Sequence, residues 1–168
     1  ITENMDSAIS ADIDSDRIDI IIPEDFELPP DGVHARWPDK PMEQELRLNK
    51  YKIYAAREFA RVNRLNKVVR DSDNARFGII TSGKAYLDVR QVLEDMGITE
   101  AIGAAVGRRV FKVGMPWPLE PVKTHEFALG LHEILVVEEK RSVIEDQLTG
   151  QLYNWPIKDR PRVVGEYD

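Results

Sequence analysis

The stretch that most limits how this chain can fold is residues 76–86, in which a short apolar run breaks at Thr-Ser-Gly and passes into a helical pattern. The pattern predicts a strand, a tight loop and a helix in immediate succession. Gly83 stands at the junction, where a turn needs backbone angles that other residues avoid, and the hydroxyls of Thr81 and Ser82 are available to a helix start or a ligand. Loops of this kind form the carboxyl edge of an open α/β sheet, where ligands usually bind.

The same succession of strand and helix recurs along the chain and predicts the fold class. Further strands are expected at residues 68–70, 108–113, 133–137 and 162–167, and a long amphipathic helix at residues 41–66. The unbroken apolar run of residues 133–137 predicts a central strand that is buried on both faces. Together these patterns favour a three-layer α/β/α domain with a mainly parallel, doubly wound sheet of about five strands.

Residues 1–40 differ in character from the rest and are expected to be a lead-in and an extended arm, before an α/β domain at residues 41–168. Residues 17–23 have strand composition, and the proline-rich stretch after them predicts the arm. Because ordering a long irregular arm costs conformational entropy, we expect it to pack on this domain or on a neighbour, with Trp37 as its anchor. The start at Ile1, without a methionine, favours a processed product or an excised piece of a larger polypeptide.

Composition argues against several classes of function. A formal net charge of −7 and a pI of about 5.1 disfavour a nucleic-acid surface, which needs clustered lysines and arginines. No apolar run approaches the roughly 18 to 20 residues that a membrane helix needs, so we expect a cytoplasmic protein without membrane contact. The absence of cysteine excludes disulfides and cysteine-ligated metals or iron–sulfur clusters within this chain. No third ligand stands at a recognised spacing from His125 and His132, so no metal site is predicted.

Topology predicts one pair of loops that could form a site. In a common doubly wound arrangement, the strands that end at Thr81 and Val137 are neighbours, and their loops flank one crevice. These loops carry the candidate ligand or interface residues Thr81, Ser82, Gly83, Lys84, Glu138, Glu139, Lys140 and Arg141. Two structural interpretations compete with a ligand role: Ser82 caps the next helix, or the adjacent glutamates form an ion pair with Lys140, Arg141 or an arm residue. No catalytic residue is predicted, because nucleotide-binding loops, a hydrolase elbow and zinc motifs are missing.

Several runs of the sequence resemble the middle domain of indolepyruvate:ferredoxin oxidoreductase, a member of the 2-oxoacid:ferredoxin oxidoreductase family. The most distinctive are Ile-Ile-Thr-Ser-Gly-Lys-Ala-Tyr, Gly-Met-Pro-Trp-Pro-Leu-Glu-Pro and Val-Val-Glu-Glu-Lys-Arg. In order along the chain, the matching runs are residues 33–38, 77–90, 111–121, 134–147, 153–156 and 162–165. Their order and spacing match the family, so the resemblance covers most of the chain from about residue 16 onward.

The resemblance implies a transketolase C-terminal-like domain whose sheet has a short antiparallel edge strand, which residues 68–70 fit. It implies a larger enzyme that oxidatively decarboxylates aryl 2-oxoacids with coenzyme A and passes the electrons to ferredoxin. Thiamine diphosphate, magnesium and iron–sulfur clusters would bind to other domains of that enzyme, and this chain alone would bind no cofactor. No catalytic residue carries over to this chain.

Two functional hypotheses follow. The first is a non-catalytic scaffold and interface domain, inactive alone, which contacts other domains or subunits of a homo-oligomeric oxidoreductase through Trp37 and Trp117. The second is a free-standing module that binds a small ligand or an anion in the crevice beside Thr81, with Lys84 and Arg141 as the nearby cations.

Overall fold

The computed structural model describes residues 19–24, 26–34 and 36–167 of the 168-residue chain. The strands are β1 (Lys67–Arg70), β2 (Phe77–Ser82), β3 (Arg108–Val113), β4 (Glu133–Val137) and β5 (Arg162–Val164). The helices are α1 (Pro41–Arg47), α2 (Ile53–Val62), α3 (Gly83–Asp95), α4 (Glu100–Ala105), α5 (Pro121–Ala128) and α6 (Val143–Leu152), and a π-helical turn at Leu48–Lys52 joins α1 to α2. Within the described ranges, no helix has the length and apolar composition that crossing a membrane requires.

The strands form one five-stranded sheet in the order β1-β3-β2-β4-β5. Strands β2, β3, β4 and β5 run parallel, whereas β1 pairs antiparallel with β3 at the edge. Ile79 of the central strand β2 lies between Val110 of β3 and Leu135 of β4. The predicted fold class, including its antiparallel edge strand, is therefore confirmed.

Helices cover both faces of this sheet, because successive side chains of a strand point to opposite sides. Ile80 of β2 joins the larger core, where α5 and α6 pack and the stacked rings of Phe111 and Phe127 lie with centroids 4.9 Å apart. Ile79 points the other way, into a smaller cluster with Val89 of α3. We call these the α5/α6 face and the α3 face.

Strand β4 does not occupy the position that its apolar run predicts. It lies between β2 and β5, so β2 rather than β4 is the central strand. Ile134 and Val136 are buried under α5 and α6, but Leu135 and Val137, on the α3 face, are only half-buried. The prediction of burial on both faces is wrong, because the α3 face is covered less completely at β4.

The segment before α1 contains no strand at residues 19–23. The strand predicted at residues 17–23 is therefore wrong over its described part, and Arg17 and Ile18 lie outside the described residues. The backbone of Ile21 instead pairs with the side chain of Asn63 at the end of α2. Ile21 N donates to Asn63 Oδ1 at 2.7 Å, and Asn63 Nδ2 donates to Ile21 O at 2.8 Å. An amide side chain thus replaces the neighbouring strand that Ile21 would need in a sheet.

Charged groups, rather than Trp37, hold the arm against the first helix. Trp37 is 93% exposed, so it does not anchor the arm on this domain. Asp31 instead pairs with Arg36 and with Arg47 of α1, and Arg47 Nη1 also donates to Gly32 O at 2.8 Å. Hydrogen bonds from Arg47 and Arg36 hold the pKa of Asp31 well below its usual range.

Gly78→Ala is expected to destabilise the fold, because a Cβ at this position of β2 would lie 2.5 Å from Leu131 Cδ1 and 2.8 Å from Phe127 Cζ. Overpacking of this kind costs about 1–3 kcal/mol and should lower the midpoint of urea unfolding. Gly150→Ala is the matched control, since a Cβ there meets nothing within 4 Å and alanine favours a helix by roughly 0.5–1 kcal/mol. Equal midpoints for wild type and Gly78→Ala would contradict this account of the packing around β2.

Candidate functional site

The predicted loop at Thr81-Ser82-Gly83 is absent, because Thr81 and Ser82 are the last residues of β2 and α3 begins directly at Gly83, at the carboxyl edge of the sheet. Thr81 is 0% exposed, and its Oγ1 has no hydrogen-bond partner among the described residues. Ser82 is extended and makes no side-chain capping bond to α3, so the capping interpretation is wrong. Gly83 has a φ of +54°, which confirms the need for glycine at this junction.

Lys84, the cation beside this junction, is already paired within its own helix. Its Nζ donates to Asp88 Oδ1 at 3.0 Å and to Asp88 Oδ2 at 2.9 Å. This contact raises the pKa of Lys84, and the charge of Glu139 acts in the same direction. Both partners of the pair are about half exposed, so the pair contributes little to stability.

On the neighbouring loop, Glu138 caps the start of α6. Its Oε2 accepts from Ile144 N at 2.8 Å, and its Oε1 accepts from Glu145 N at 3.1 Å. The expected ion pair with Lys140, Arg141 or the arm is therefore wrong for Glu138, because two backbone amides engage this carboxylate instead. Capping a helix start with a carboxylate is favourable, since the amides there carry partial positive charge.

Two more carboxylates, which the sequence analysis did not single out, fasten this loop to the C-terminal segment. Glu166 Oε2 accepts from Ser142 N at 3.0 Å, and Glu145 Oε2 accepts from Glu166 N at 2.7 Å. Ser142 Oγ also lies 3.2 Å from the hydroxyl of Tyr167. The partners are 21 to 25 residues apart in sequence, so no local pattern could identify them.

The residues of the two predicted loops lie at the ends of neighbouring strands, because Thr81 of β2 pairs with Val137 of β4. Glu139, after β4, adds to the rise in the pKa of Lys84, but less than Asp88 does. A cavity of about 390 Å³ at this edge is nevertheless lined by the β4–α6 loop and the C-terminal segment, including Lys140 and Arg141, and not by residues 81–84. The topology is as predicted, but this cavity does not unite the two loops.

A glutamate also caps a second helix, α5, at this edge. Glu120 caps α5 by accepting from Val122 N and Lys123 N, each at 2.8 Å. The amides at the starts of α5 and α6 thus donate to glutamates of the chain itself, whereas α3 has no side-chain cap. No group of three or more His, Asp or Glu residues in the described part of the chain is placed to hold a metal ion.

The two tryptophans predicted as contacts lie on the surface, and each precedes a cis proline. Trp117, in the loop between β3 and α5, is 57% exposed. Gln147 of α6 fixes this loop, because its Nε2 donates to Pro116 O at 2.8 Å and its Oε1 accepts from Leu119 N at 2.7 Å. The loop therefore presents Trp117 from a braced backbone.

Comparison with known proteins relates this arrangement to a family of oxidoreductases. The chain is 31% identical over 97 residues to the indolepyruvate oxidoreductase subunit IorA of Methanothermobacter marburgensis, and 28% identical over 86 residues to that of Thermococcus kodakarensis. These matches cover 58% and 51% of this chain but only 14% and 12% of the two relatives. Most of each relative therefore lies outside the matched segment.

Two solved structures have similar parts. A 2-oxoglutarate:ferredoxin oxidoreductase from Magnetococcus marinus aligns with a TM-score of 0.45 and 18% identity over 75% of this chain and 20% of its own. A split-gene transketolase aligns with a TM-score of 0.41 and 18% identity over 61% of this chain and 32% of its own. Neither likeness is close enough to support an argument about function.

The family assignment rests on sequence. Residues 66–168, from the residue before β1 to the C-terminus, match the family model described as the indolepyruvate ferredoxin oxidoreductase middle domain. The matched region contains the whole sheet and both predicted loops, and it confirms the resemblance found in the sequence. The chain belongs to the indolepyruvate ferredoxin oxidoreductase middle-domain family.

Proposed function

We propose that this chain is a non-catalytic scaffold and interface domain of a thiamine-diphosphate-dependent indolepyruvate:ferredoxin oxidoreductase. In this proposal residues 1–40 form the lead-in and arm, and residues 41–168 form the domain. The complete enzyme oxidatively decarboxylates aryl 2-oxoacids with coenzyme A and ferredoxin, and other domains hold thiamine diphosphate, magnesium and the iron–sulfur clusters. The domain contacts those other domains or subunits within a homo-oligomer.

The observation that carries this proposal is the use of the acidic side chains at the carboxyl edge. Glu138, Glu145 and Glu166 all accept hydrogen bonds from backbone amides, so these carboxylates fix the loop instead of remaining free for acid–base chemistry. The chain also has no cysteine with which to ligate an iron–sulfur cluster. Family membership adds the context of a larger oxidoreductase.

The surface supports an interface role, because two large aromatic side chains lie exposed on it. Trp37 and Trp117 present their rings to solvent in the described chain. Tryptophan is enriched among the residues that dominate binding energy at protein interfaces. We therefore assign both side chains to contacts with other parts of the enzyme.

A second candidate function is a small-ligand or anion-binding module at the crevice beside Thr81. Two observations favour it: the buried Thr81 Oγ1 lacks a partner among the described residues, and α3 starts without a side-chain cap. Lys84 and Arg141 would supply the positive charge. The pairing of Lys84 with Asp88 weakens this candidate, because an anion would have to compete with a carboxylate already in place.

Calorimetry of the chain with thiamine diphosphate, coenzyme A and indolepyruvate separates the two candidates. The scaffold proposal predicts no saturable heat at micromolar concentrations of any of the three, because the chain's own carboxylates already bind the amides at the starts of α5 and α6. Saturable binding that the Arg141→Gln substitution removes would contradict this proposal and support the module. Flanking coding sequence without thiamine-binding motifs or cluster-spaced cysteines would contradict the assignment to a larger oxidoreductase.

Glu138→Ala should lower the free energy of unfolding by about 0.5–2 kcal/mol, the usual cost of losing a helix N-terminal cap. Its neighbour provides the matched control, because the side chain of Glu139 is exposed and Glu139→Ala should stay within about 0.5 kcal/mol of wild type. Urea unfolding measures both variants. If the two substitutions proved equally mild, Glu138 would not be acting as a cap.

Trp117→Ala and Trp37→Ala should leave the melting temperature of this chain nearly unchanged, because exposed side chains contribute little to folding. Each should instead weaken association with the thiamine-diphosphate-binding domains, supplied as a separate polypeptide, by about tenfold or more. Tyr153→Ala is the control for removing an exposed aromatic ring, since Tyr153 is 71% exposed at the end of α6. Melting shifts of several degrees, or association equal to wild type, would contradict the interface role.

A further inference from the structure

A cavity of about 230 Å³ lies on the α3 face of the sheet, bounded by β1, β3, α3 and the start of α4. We call it the Arg108 cavity, after the arginine that begins β3. Arg108 lies at the opposite end of the strands from the predicted site, because it pairs with Phe77 at the first position of β2, while Thr81 and Ser82 stand at the other end. The proposed scaffold role does not involve this cavity.

Arg108 is the unusual residue of this cavity. It is only 6% exposed, and its Nε and Nη1 are buried without a hydrogen-bond partner among the described residues. A guanidinium stays charged at any ordinary pH, and a buried charge without hydrogen bonds is costly. Proteins almost always pair such groups, so this one is short of an acceptor.

The neighbouring charges do not make up the deficit. Glu100 is engaged in an ion pair with Arg70, and Arg90 also lines the cavity. Burial lowers the pKa of Arg108, and the charge of Arg70 acts in the same direction, while Glu100 opposes both. The lining contains three arginines and two glutamates, so it is locally positive in a chain whose net charge is −7.

The position of the Arg108 side chain is fixed by packing. Gly103 of α4 lies directly against the guanidinium, which occupies the space that a Cβ at residue 103 would need. Ser72 Oγ donates to Ala104 O at 2.7 Å and holds α4 over this end of the sheet. The unpartnered charge is therefore held in place between α4 and β3.

The rest of the lining determines what kind of anion would fit. The walls beside the arginines are mainly aliphatic, formed by Val69, Val89, Leu93 and Val110, with Tyr86 as the one aromatic residue in the lining. A carboxylate on a short branched hydrocarbon satisfies both parts, because its oxygens accept from guanidinium groups and its methyl groups pack against valine and leucine. A phosphate would leave the apolar wall without a partner.

We propose that the Arg108 cavity binds a short-chain aliphatic carboxylate, with Arg108 as the principal cation and the aliphatic wall as the contact for the hydrocarbon. The ligand supplies the hydrogen-bond acceptor that Arg108 does not find among the described residues. This proposal does not depend on the scaffold role, since it concerns the opposite end of the strands.

Isovalerate is the probe, titrated into the isotopically labelled chain and followed by NMR. Saturable shifts should appear for Arg108 Nε–H, Val69 and Val110, with a Kd in the millimolar range, as expected for a ligand of so few atoms. Isovaleramide, which has the same shape without the charge, should bind at least about tenfold more weakly. Shifts centred elsewhere, no saturation at millimolar isovalerate, or equal binding of the amide would overturn the proposal.

Arg108→Gln should weaken isovalerate binding at least about tenfold, whereas Arg141→Gln, the same charge change in the β4–α6 loop, should leave it unchanged. Arg108→Gln should melt no lower than wild type, because it removes a buried charge without a partner. Loss of binding in Arg141→Gln would place the ligand in the crevice beside Thr81 and overturn the proposal. If Arg108→Gln does not fold, the wild-type shift map and the isovaleramide comparison still decide.

Discussion

The burial of β2 on both faces is the constraint on which the rest of the structure depends. A strand in this position needs a neighbouring strand on each side and a helical layer above and below, because its backbone N–H and C=O groups and its apolar side chains are kept from water. Ile80 fixes the layer of α5 and α6, and Ile79 fixes that of α3. Gly78 lets Phe127 and Leu131 approach the strand closely. These three consecutive residues therefore contact the helical layers on both faces of the sheet.

The sequence predicted the fold well because its main signals are local. Apolar runs and helical spacing lie within a few residues, and they placed all five strands of the sheet and the turn at Gly83, whose φ is +54°. The predicted central position of β4 was wrong, because it depends on contacts that are not local in sequence. An apolar run shows that a strand can be buried. How fully its second face is buried depends on how α3 packs against the sheet, which the run itself does not encode. The strand predicted at residues 17–23 is absent over its described part, residues 19–23, because the side chain of Asn63 supplies the hydrogen-bond partner of Ile21.

The candidate site was predictable in its topology and not in its chemistry. Neighbouring parallel strands bring Thr81 and Val137, and the residues that follow each of them, to the same edge. Nothing near Glu138 in the sequence indicates that it points at the amides of α6 rather than at Lys140 or Arg141, because all these partners are close along the chain. Arg108 is a harder case. Its burial follows from α4 folding over the start of β3, and neither its spacing nor its neighbours in sequence signal that it lacks an acceptor.

The glutamate caps of α5 and α6 have a consequence for how anions encounter this domain. Glu120 and Glu138 are tethered two to seven residues from the amides they bind, so each acts at an effective concentration of about millimolar or higher. A diffusing phosphate or diphosphate would have to displace a carboxylate that is covalently part of the same chain. These two helix starts, which in other α/β proteins receive such groups, are therefore saturated from within.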